Sequence, residues 1–172
     1  LPLLNVLFSV YNIVMSEITF KRKFYDEMLE WKMNSNGKSA LMIDGARRVG
    51  KSTIAEVFAK NEYDDYLLID FVNASKDIKD NFDNLGNMDV FFRNLFLFAG
   101  KGLKSSNSVI IFDEVQKFPR AREAIKYLVK DGRYHYIETG SLISIKKKSQ
   151  EIVIPSEEKK KKMYPMDFEE FL

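Results

Sequence analysis

The stretch that most constrains the fold is "GARRVGKS" at residues 45–52, between the apolar run 40–44 and a helix-like segment. Its spacing of glycine, lysine and serine is that of a phosphate-binding loop. In such a loop the backbone N–H groups turn inward around a phosphate, and glycine permits the dihedral angles and close approach that this requires. The following helix adds the positive end of its dipole. The stretch therefore predicts a buried strand, a phosphate-binding loop and a helix, in this order.

Two side chains of this loop have predicted chemical roles. The Lys51 ammonium is expected to reach the β- and γ-phosphates of a nucleotide as a catalytic group, and the Ser52 hydroxyl is expected to ligate Mg²⁺. Arg47 and Arg48 occupy positions that the pattern leaves free, and solvated surface charge is the simpler interpretation of their side chains. The residues predicted to line the nucleotide are Gly45, Ala46, Arg47, Arg48, Val49, Gly50, Lys51, Ser52 and Thr53.

An acidic pair follows a second apolar run, "VIIF" at 109–112. A strand here would deliver Asp113 to the sheet edge that carries the phosphate loop. Asp113 is predicted to hold Mg²⁺, directly or through water. Glu114 is predicted to orient and deprotonate an attacking water. Taken alone, an apolar run that ends in two acids is equally well explained by the start of a capped helix.

A third polar cluster ends the apolar segment 134–141. Thr139 is the third predicted catalytic residue, because its hydroxyl could contact the γ-phosphate or position water. A polar turn is the alternative interpretation of Thr139 and of Ser141. Gln116 either joins this network or is an ordinary loop amide. His135 is the only histidine of the chain, and we interpret it as a structural residue.

Hydrophobic patterns predict strands that alternate with helices. The predicted strands are 40–44, 66–71, 108–114 and 134–141; the predicted helices are 18–31, one from Ser52 onward, 89–100 and one over 121–129, with a loop at 34–39. The tail 159–172 is expected to add a short strand and to begin another helix.

The alternation of predicted strands and helices implies βαβ crossovers. The predicted fold class is therefore α/β, a three-layer P-loop NTPase sandwich with a mainly parallel central sheet flanked by helices. Ligands of such sheets bind beyond the carboxyl ends of the strands, where all three polar clusters lie.

Composition limits the classes of protein that fit. A chain of 172 residues, 45% apolar and 30% charged, suits one globular domain. The net charge of +2 gives no global attraction to nucleic acid, and the lysine runs 146–148 and 159–162 are interpreted as solvated loops because acids lie beside them. The absence of cysteine excludes a disulfide framework and a cysteine metal site, and it fits the cytoplasm.

Four segments together resemble the AAA+-type P-loop ATPases of bacteria and archaea: "GARRVGKS", "IIFDEVQKFPRAREAIKYLVKDG", "IETGS" and "MYPMDFEEFL". The resemblance runs from about Phe20 to Leu172. Within these ATPases, the chain most resembles the group whose ATPase domain precedes a C-terminal domain of uncharacterised function. A lid and that further domain would then follow residue 172.

The resemblance implies a role for each site residue. Lys51 and Ser52 would bind ATP and Mg²⁺, Asp113 and Glu114 would form the second acidic motif, and Thr139 would lie in the sensor position. The sequence departs from the group in the interval between the sensor strand and the "YP" segment. Such proteins usually have a short Gly-Arg element there, whereas this interval contains no arginine.

The missing arginine leaves the source of an arginine finger open. No arginine follows Arg133, so donation of an arginine from a neighbour at this point is in doubt. Arg120, Arg122 or one of the lysines 146–148 could substitute, and the sequence does not select among them.

Three segments are expected along the chain. Residues 1–14 lack the positive leading region of a signal peptide and are too short for a typical membrane span. We interpret them as an upstream extension before a start at Met15. Residues 15–38 would form an N-terminal helix and loop, and residues 39–172 the ATPase core.

Three functions remain open at this stage. The main hypothesis is a Mg²⁺-dependent ATP-hydrolysing domain that couples nucleotide state to conformational change; ATP is favoured over GTP because no guanine-reading Asn/Thr-Lys-x-Asp sequence is present. The alternative is a nucleotide-dependent interaction or switch module with little hydrolysis, since a trans arginine can be worth about 10³–10⁵ in rate. A small-molecule kinase is disfavoured by the lack of a lid-like arginine series. The partners left open are a C-terminal domain, another protein and a second copy of the chain, and nucleic acid is unsupported.

Overall fold

The computed structural model describes residues 22–141 and 156–171. In these ranges the strands are β1 (Ala40–Asp44), β2 (Asp65–Asp70), β3 (Ser108–Asp113), β4 (His135–Gly140) and β5 (Glu158–Lys162). The helices are α1 (Lys23–Ser35), α2 (Lys51–Glu62), α3 (Lys76–Asp80), α4 (Met88–Ala99), α5 (Pro119–Asp131) and α6 (Phe168–Phe171), with 3₁₀ turns at Asn81–Asn84 and Val115–Lys117. All neighbouring strands pair in parallel, in the order β2-β3-β4-β1-β5. The predicted α/β fold class is confirmed.

Successive residues of each strand pack on opposite faces of the sheet, as the pleat requires. Met42 and Phe112 belong to the core on one face, where α4 and α5 pack. Leu41 and Ile111 belong to the core on the other face, where α1 and α2 pack. Both faces of the sheet are therefore covered, which explains why the strands are apolar runs rather than alternating ones.

Several boundaries differ from the predicted ones by a few residues. Helix α1 continues to Ser35, into the predicted loop, and ends at Asn36, whose φ of 43° forms a left-handed cap. Strand β3 ends one residue earlier than predicted, because Glu114 has a φ of 57°. Helix α3 and the 3₁₀ turns are missing from the prediction, since three to five residues are too few to show a helical period. The predicted helix start at residue 18 lies outside the described residues.

The short strand and the helix predicted for the tail 159–172 are confirmed by β5 and α6. The second lysine run, 159–162, therefore lies in an edge strand, and its interpretation as a solvated loop is wrong. Strand β5 pairs with β1, and the ladder is continued by Met163, whose N–H donates to the Asp44 carbonyl at 2.7 Å. Lys161 forms ion pairs with Glu27 and Glu30 of α1 at 3.3 and 3.6 Å. Lysines on an edge strand discourage pairing with another chain. The lysines 146–148 and the predicted extension 1–14 lie outside the described residues.

Met163 closely approaches the residue that begins the phosphate-loop motif. Its side chain is buried in the core on the α1–α2 face. Its carbonyl oxygen would lie 2.4 Å from a Cβ atom placed on Gly45. A side chain at Gly45 would therefore displace the backbone that follows β5.

Among the described residues, no helix is both long and apolar enough to cross a membrane.

Three ionisable side chains are buried together on the α5 face of the sheet. Arg122 donates two hydrogen bonds to Glu158, from Nε to Oε2 at 2.6 Å and from Nη2 to Oε1 at 2.7 Å. Glu138, at the centre of the sheet on β4, is fully buried. Desolvation by burial and the Glu158 charge raise the pKa of Glu138 well above its ordinary value, although Arg122 acts in the opposite direction. Glu138 therefore keeps its proton in the folded protein at pH values where the unfolded chain releases it.

Replacement of Glu138 by Gln is expected to weaken the pH dependence of folding stability. The folded state binds a proton that the unfolded chain loses above about pH 4.3, so stability falls as pH rises from there towards the folded pKa. Gln mimics the protonated form. The variant should match the wild type near pH 4 and be more stable at pH 7, by about 1.4 kcal/mol for each pH unit by which the pKa is raised.

Urea unfolding at the two pH values measures this difference. The control is Glu123→Gln, which removes an exposed carboxylate from α5. An advantage of Glu138→Gln that is equal at both pH values would show that Glu138 is ionised in the folded protein.

Replacement of Gly45 by Ala is expected to lower the free energy of unfolding by about 1–3 kcal/mol, because the new methyl group would overlap the Met163 carbonyl. Gly86→Ala is the matched control, since a Cβ there meets no atom within 4 Å. Chemical denaturation of both variants provides the measurement. Equal stability of the two variants would mean that the segment after β5 does not rest against Gly45 in solution.

Candidate functional site

The loop at residues 45–50 connects β1 to α2 and contains two residues with positive φ. These are Arg48, with a φ of 65°, and Gly50, with a φ of 93°. Left-handed residues in such a loop let successive N–H groups face one concave side. The left-handed conformation costs a residue with a side chain about 1–2 kcal/mol, so the loop has a strained position at Arg48.

The side chains around this loop divide into exposed and buried ones. Those of Ala46, Arg47, Arg48 and Thr53 are exposed. Lys51, by contrast, is only 5% exposed, and its Nζ donates to the carbonyl oxygens of Gly45 at 3.1 Å and Ala46 at 2.7 Å. These bonds fold the lysine back over the loop and use two of its three N–H donors.

The Asp113 carboxylate joins the polar residues at the ends of β1, β3 and β4. Its Oδ1 accepts a hydrogen bond from the Ser52 hydroxyl at 2.6 Å and another from the Thr139 hydroxyl. Thr139 lies near the end of β4, the strand between β1, which leads into the phosphate loop, and β3, which ends at Asp113. The structure thus brings together residues that are distant in the sequence: Ser52 and Asp113 are 61 positions apart, and Asp113 and Thr139 are 26 positions apart.

Glu114 is held at its backbone and at its carboxylate. Its N–H donates to the Thr139 Oγ1 at 3.2 Å, and its Oε2 accepts a hydrogen bond from the Gln116 side-chain amide. The left-handed conformation of Glu114 is a strained one for a non-glycine residue. Gln116 lies against β4, where a Cβ on Gly140 would come within 2.8 Å of its Oε1. Gly140 therefore makes room for the amide that holds Glu114.

Arg22, which lies outside the sequence motifs, contacts this loop and could not be identified from the sequence. Arg22, just before α1, donates to the Val49 carbonyl at 3.0 Å and to the Tyr164 carbonyl at 2.7 Å. Arg22 is one of several cations in "FKRKF", and nothing in that pattern distinguishes it. The acids of "DFEEF" are the sequence feature that could have suggested a partner for Arg22, because one of them, Glu170, forms an ion pair with Arg22 at 3.3 Å.

The structure discriminates between the arginines that the sequence left open as fingers. Arg122 is 2% exposed and fully engaged with Glu158, so it cannot reach into a neighbouring molecule. Arg120 is exposed and ion-paired with Asp83. His135 lies at the amino end of β4, where its Nδ1 is 2.8 Å from the Tyr63 hydroxyl, away from the carboxyl edge of the sheet. This position agrees with a structural role for His135.

Comparison with known proteins assigns a family on grounds independent of this geometry. No curated protein matches the sequence. The family model described as an AAA domain matches residues 37–172, a range that contains the phosphate loop, the acidic pair, Thr139 and the tail. The match covers well over half of the chain, and a parallel sheet with helices on both faces is the fold expected for such a domain. The chain belongs to the AAA domain family.

Proposed function

We propose that the chain binds Mg·ATP at residues 45–53 and hydrolyses it, and that nucleotide state changes the conformation of the domain. Membership of the AAA domain family indicates nucleotide binding in general. The observation that carries the finer proposal is the hydrogen-bonded connection from Ser52 through Asp113 and Thr139 to Glu114. It joins the phosphate loop to a carboxylate that can accept a proton from water.

The oxygen atoms at the loop suit Mg²⁺. The Ser52 hydroxyl and the Asp113 carboxylate are hard oxygen donors 2.6 Å apart. Beside a nucleotide, Mg²⁺ is typically held by one or two carboxylates together with phosphate oxygens and water. We therefore assign Ser52 and Asp113 as the residues that would hold the ion. When bound, the ion would neutralise negative charge on the nucleotide phosphates.

Glu114 is the proposed general base. In hydrolysis the water oxygen bonds to the γ-phosphorus, the bond from this phosphorus to the bridging oxygen breaks, and ADP leaves. Glu114 would take the proton of the attacking water. Thr139 fixes the backbone of Glu114, and its hydroxyl is the second group that could orient the water. Lys51 would stabilise phosphate charge by exchanging its bonds to the loop carbonyls for bonds to phosphate oxygens.

The second candidate is a nucleotide-dependent switch with little intrinsic hydrolysis. The specific observation in its favour is the hydrogen bond from the Gln116 amide to the Glu114 carboxylate, which engages the proposed base. The burial of Arg122 also removes one candidate for supplying positive charge in trans. In this version a C-terminal domain, a protein partner or a second copy of the chain would complete the site.

A reducing compartment such as the cytoplasm suits a chain without cysteine.

A single-turnover experiment is expected to separate binding from chemistry. A substoichiometric amount of Mg·ATP is mixed with excess protein, and bound nucleotide and released phosphate are followed over time. Wild type should release phosphate, and Glu114→Gln should bind normally but release it about 10²–10⁴-fold more slowly, the usual worth of a general base. Lys51→Ala should lose nucleotide binding. Lys60→Ala is the matched control, because Lys60 is an exposed lysine on the same helix that pairs with Glu56.

The remaining outcomes identify the other functions. Binding by wild type and Glu114→Gln without turnover by either one supports the switch. Phosphate transfer that requires an added acceptor indicates a small-molecule kinase. If wild type does not bind, or if Lys51→Ala binds as well as wild type, the assignment of residues 45–53 to ATP is wrong.

A further inference from the structure

The guanidinium group of Arg22 joins the phosphate loop to the tail segment, which we define as residues 163–171. Nη1 donates to the Val49 carbonyl at 3.0 Å, Nη2 donates to the Tyr164 carbonyl at 2.7 Å, and Nε donates to the Glu170 carboxylate at 3.3 Å. The planar fork of arginine suits several directed bonds at once, whereas a lysine ammonium acts more as a point charge. The Arg22 side chain thus connects the start of α1 to the phosphate loop at one point and to the tail segment at two points.

The bond to Val49 has a consequence for the inner side of the loop. In a trans peptide the C=O and the following N–H point in opposite directions, and no peptide bond among the described residues is cis. Arg22 holds the Val49 carbonyl towards itself and the tail segment. The Gly50 N–H therefore points away from Arg22. Gly50 directly precedes Lys51, so its N–H is among the donors that a phosphate in this loop would meet.

The Glu170 carboxylate is itself held in place by the tail segment. Its Oε2 accepts from the Asp167 N–H at 3.0 Å, and the Glu170 N–H donates back to Asp167 Oδ1 at 2.9 Å, a reciprocal capping pair at the start of α6. Its Oε1 also accepts from the Lys23 N–H at 2.8 Å. Movement of the tail segment would therefore move Glu170 relative to Arg22.

The ion pair between Arg22 and Glu170 is shielded from water. The two side chains are 12% and 7% exposed, in contrast to the solvent-exposed pairs of Lys23 with Asp167 and Glu169. Shielded pairs are screened less than surface pairs, and the loss of one partner leaves the other without compensation. The contact can therefore transmit a change of position, which a surface pair does poorly.

We propose that Arg22 is a positioning residue that orients the Val49–Gly50 peptide of the phosphate loop and thereby makes nucleotide affinity depend on the tail segment. The inference rests on the proposed function, because it concerns the same loop. By linkage, the coupling is reciprocal: a nucleotide that fixes the Gly50 N–H also favours the position of the tail segment seen here. Whatever follows or binds the tail segment could then sense the nucleotide.

The test is a double-mutant cycle with two independent readouts. The variants are Arg22→Gln, Glu170→Gln and their combination, with Arg22→Lys as the conservative variant. Arg133→Gln is the matched control, because it removes an arginine that is ion-paired with Asp89 and Asp131 at the opposite edge of the sheet. Calorimetric titration with Mg·ADP measures affinity without turnover. Amide hydrogen exchange of the nucleotide-free protein measures opening of the phosphate loop and of the tail segment.

The proposal predicts a specific pattern in this cycle. Arg22→Gln, Glu170→Gln and Arg22→Lys should each weaken Mg·ADP binding about 5-fold or more, and the double variant should be no weaker than Arg22→Gln alone. Glu170→Gln should accelerate exchange in the phosphate loop as well as in the tail segment. It should have no further effect on the loop when Arg22 is already Gln. Arg133→Gln should leave both readouts unchanged.

Other results overturn the proposal and locate the error. Additive effects in the cycle, or faster exchange of the tail segment alone, would mean that the loop does not depend on the tail segment. Full retention of affinity by Arg22→Lys would mean that charge matters and peptide orientation does not. If wild type does not bind Mg·ADP, the proposed function fails, and the exchange data alone decide whether Arg22 connects the tail segment to the loop. If Arg22→Gln does not fold, Glu170→Gln and Arg22→Lys carry the test.

Discussion

Strand β4 lies between β1 and β3, and the geometry of the site follows from this order. All described strands are parallel, so their carboxyl ends meet at one edge, and the neighbours of β4 there are the phosphate loop and the acidic pair. A single carboxylate oxygen of Asp113 then accepts hydrogen bonds from both Ser52 and Thr139. Apolar cores on both sheet faces bury β1 and β3 from each side, which leaves their carboxyl ends as the place for polar groups.

Much of this arrangement can be predicted from the sequence, because its signals are local. The apolar runs, the G-x-x-x-x-G-K-S spacing and the polar residues after each run specify the sheet and the three clusters at its carboxyl edge. The element boundaries were less predictable, since a left-handed residue such as Glu114 ends β3 without a glycine to mark it. The sequence predicted a short strand in the tail 159–172 but also suggested a solvated loop for its four lysines, because the strand forms only by pairing with β1.

Long-range contacts account for the rest of what the sequence did not reveal. Arg22 and Glu170 are 148 residues apart, and neither belongs to a periodic pattern or a catalytic spacing. The buried group of Arg122, Glu138 and Glu158 likewise joins three separate elements. A single sequence shows each of these residues as one more charge. Only the fold distinguishes those that are buried and paired from the many that are solvated.

The two glycines of the loop show how one motif can serve two physical requirements. Gly50 has a φ of 93°, a conformation that side chains disfavour, and the usual phosphate-loop argument explains it. Gly45 has no positive φ, and its missing side chain is required by the carbonyl of Met163. The tail segment therefore touches the loop twice, through this carbonyl at its first residue and through Arg22 near its last. Because both ends of the loop rest on the tail segment, displacement of that segment would loosen the loop as a whole, and nucleotide binding would oppose the displacement. Under this proposal a bound nucleotide would hold the tail segment in place and its loss would release that segment, without a separate hinge.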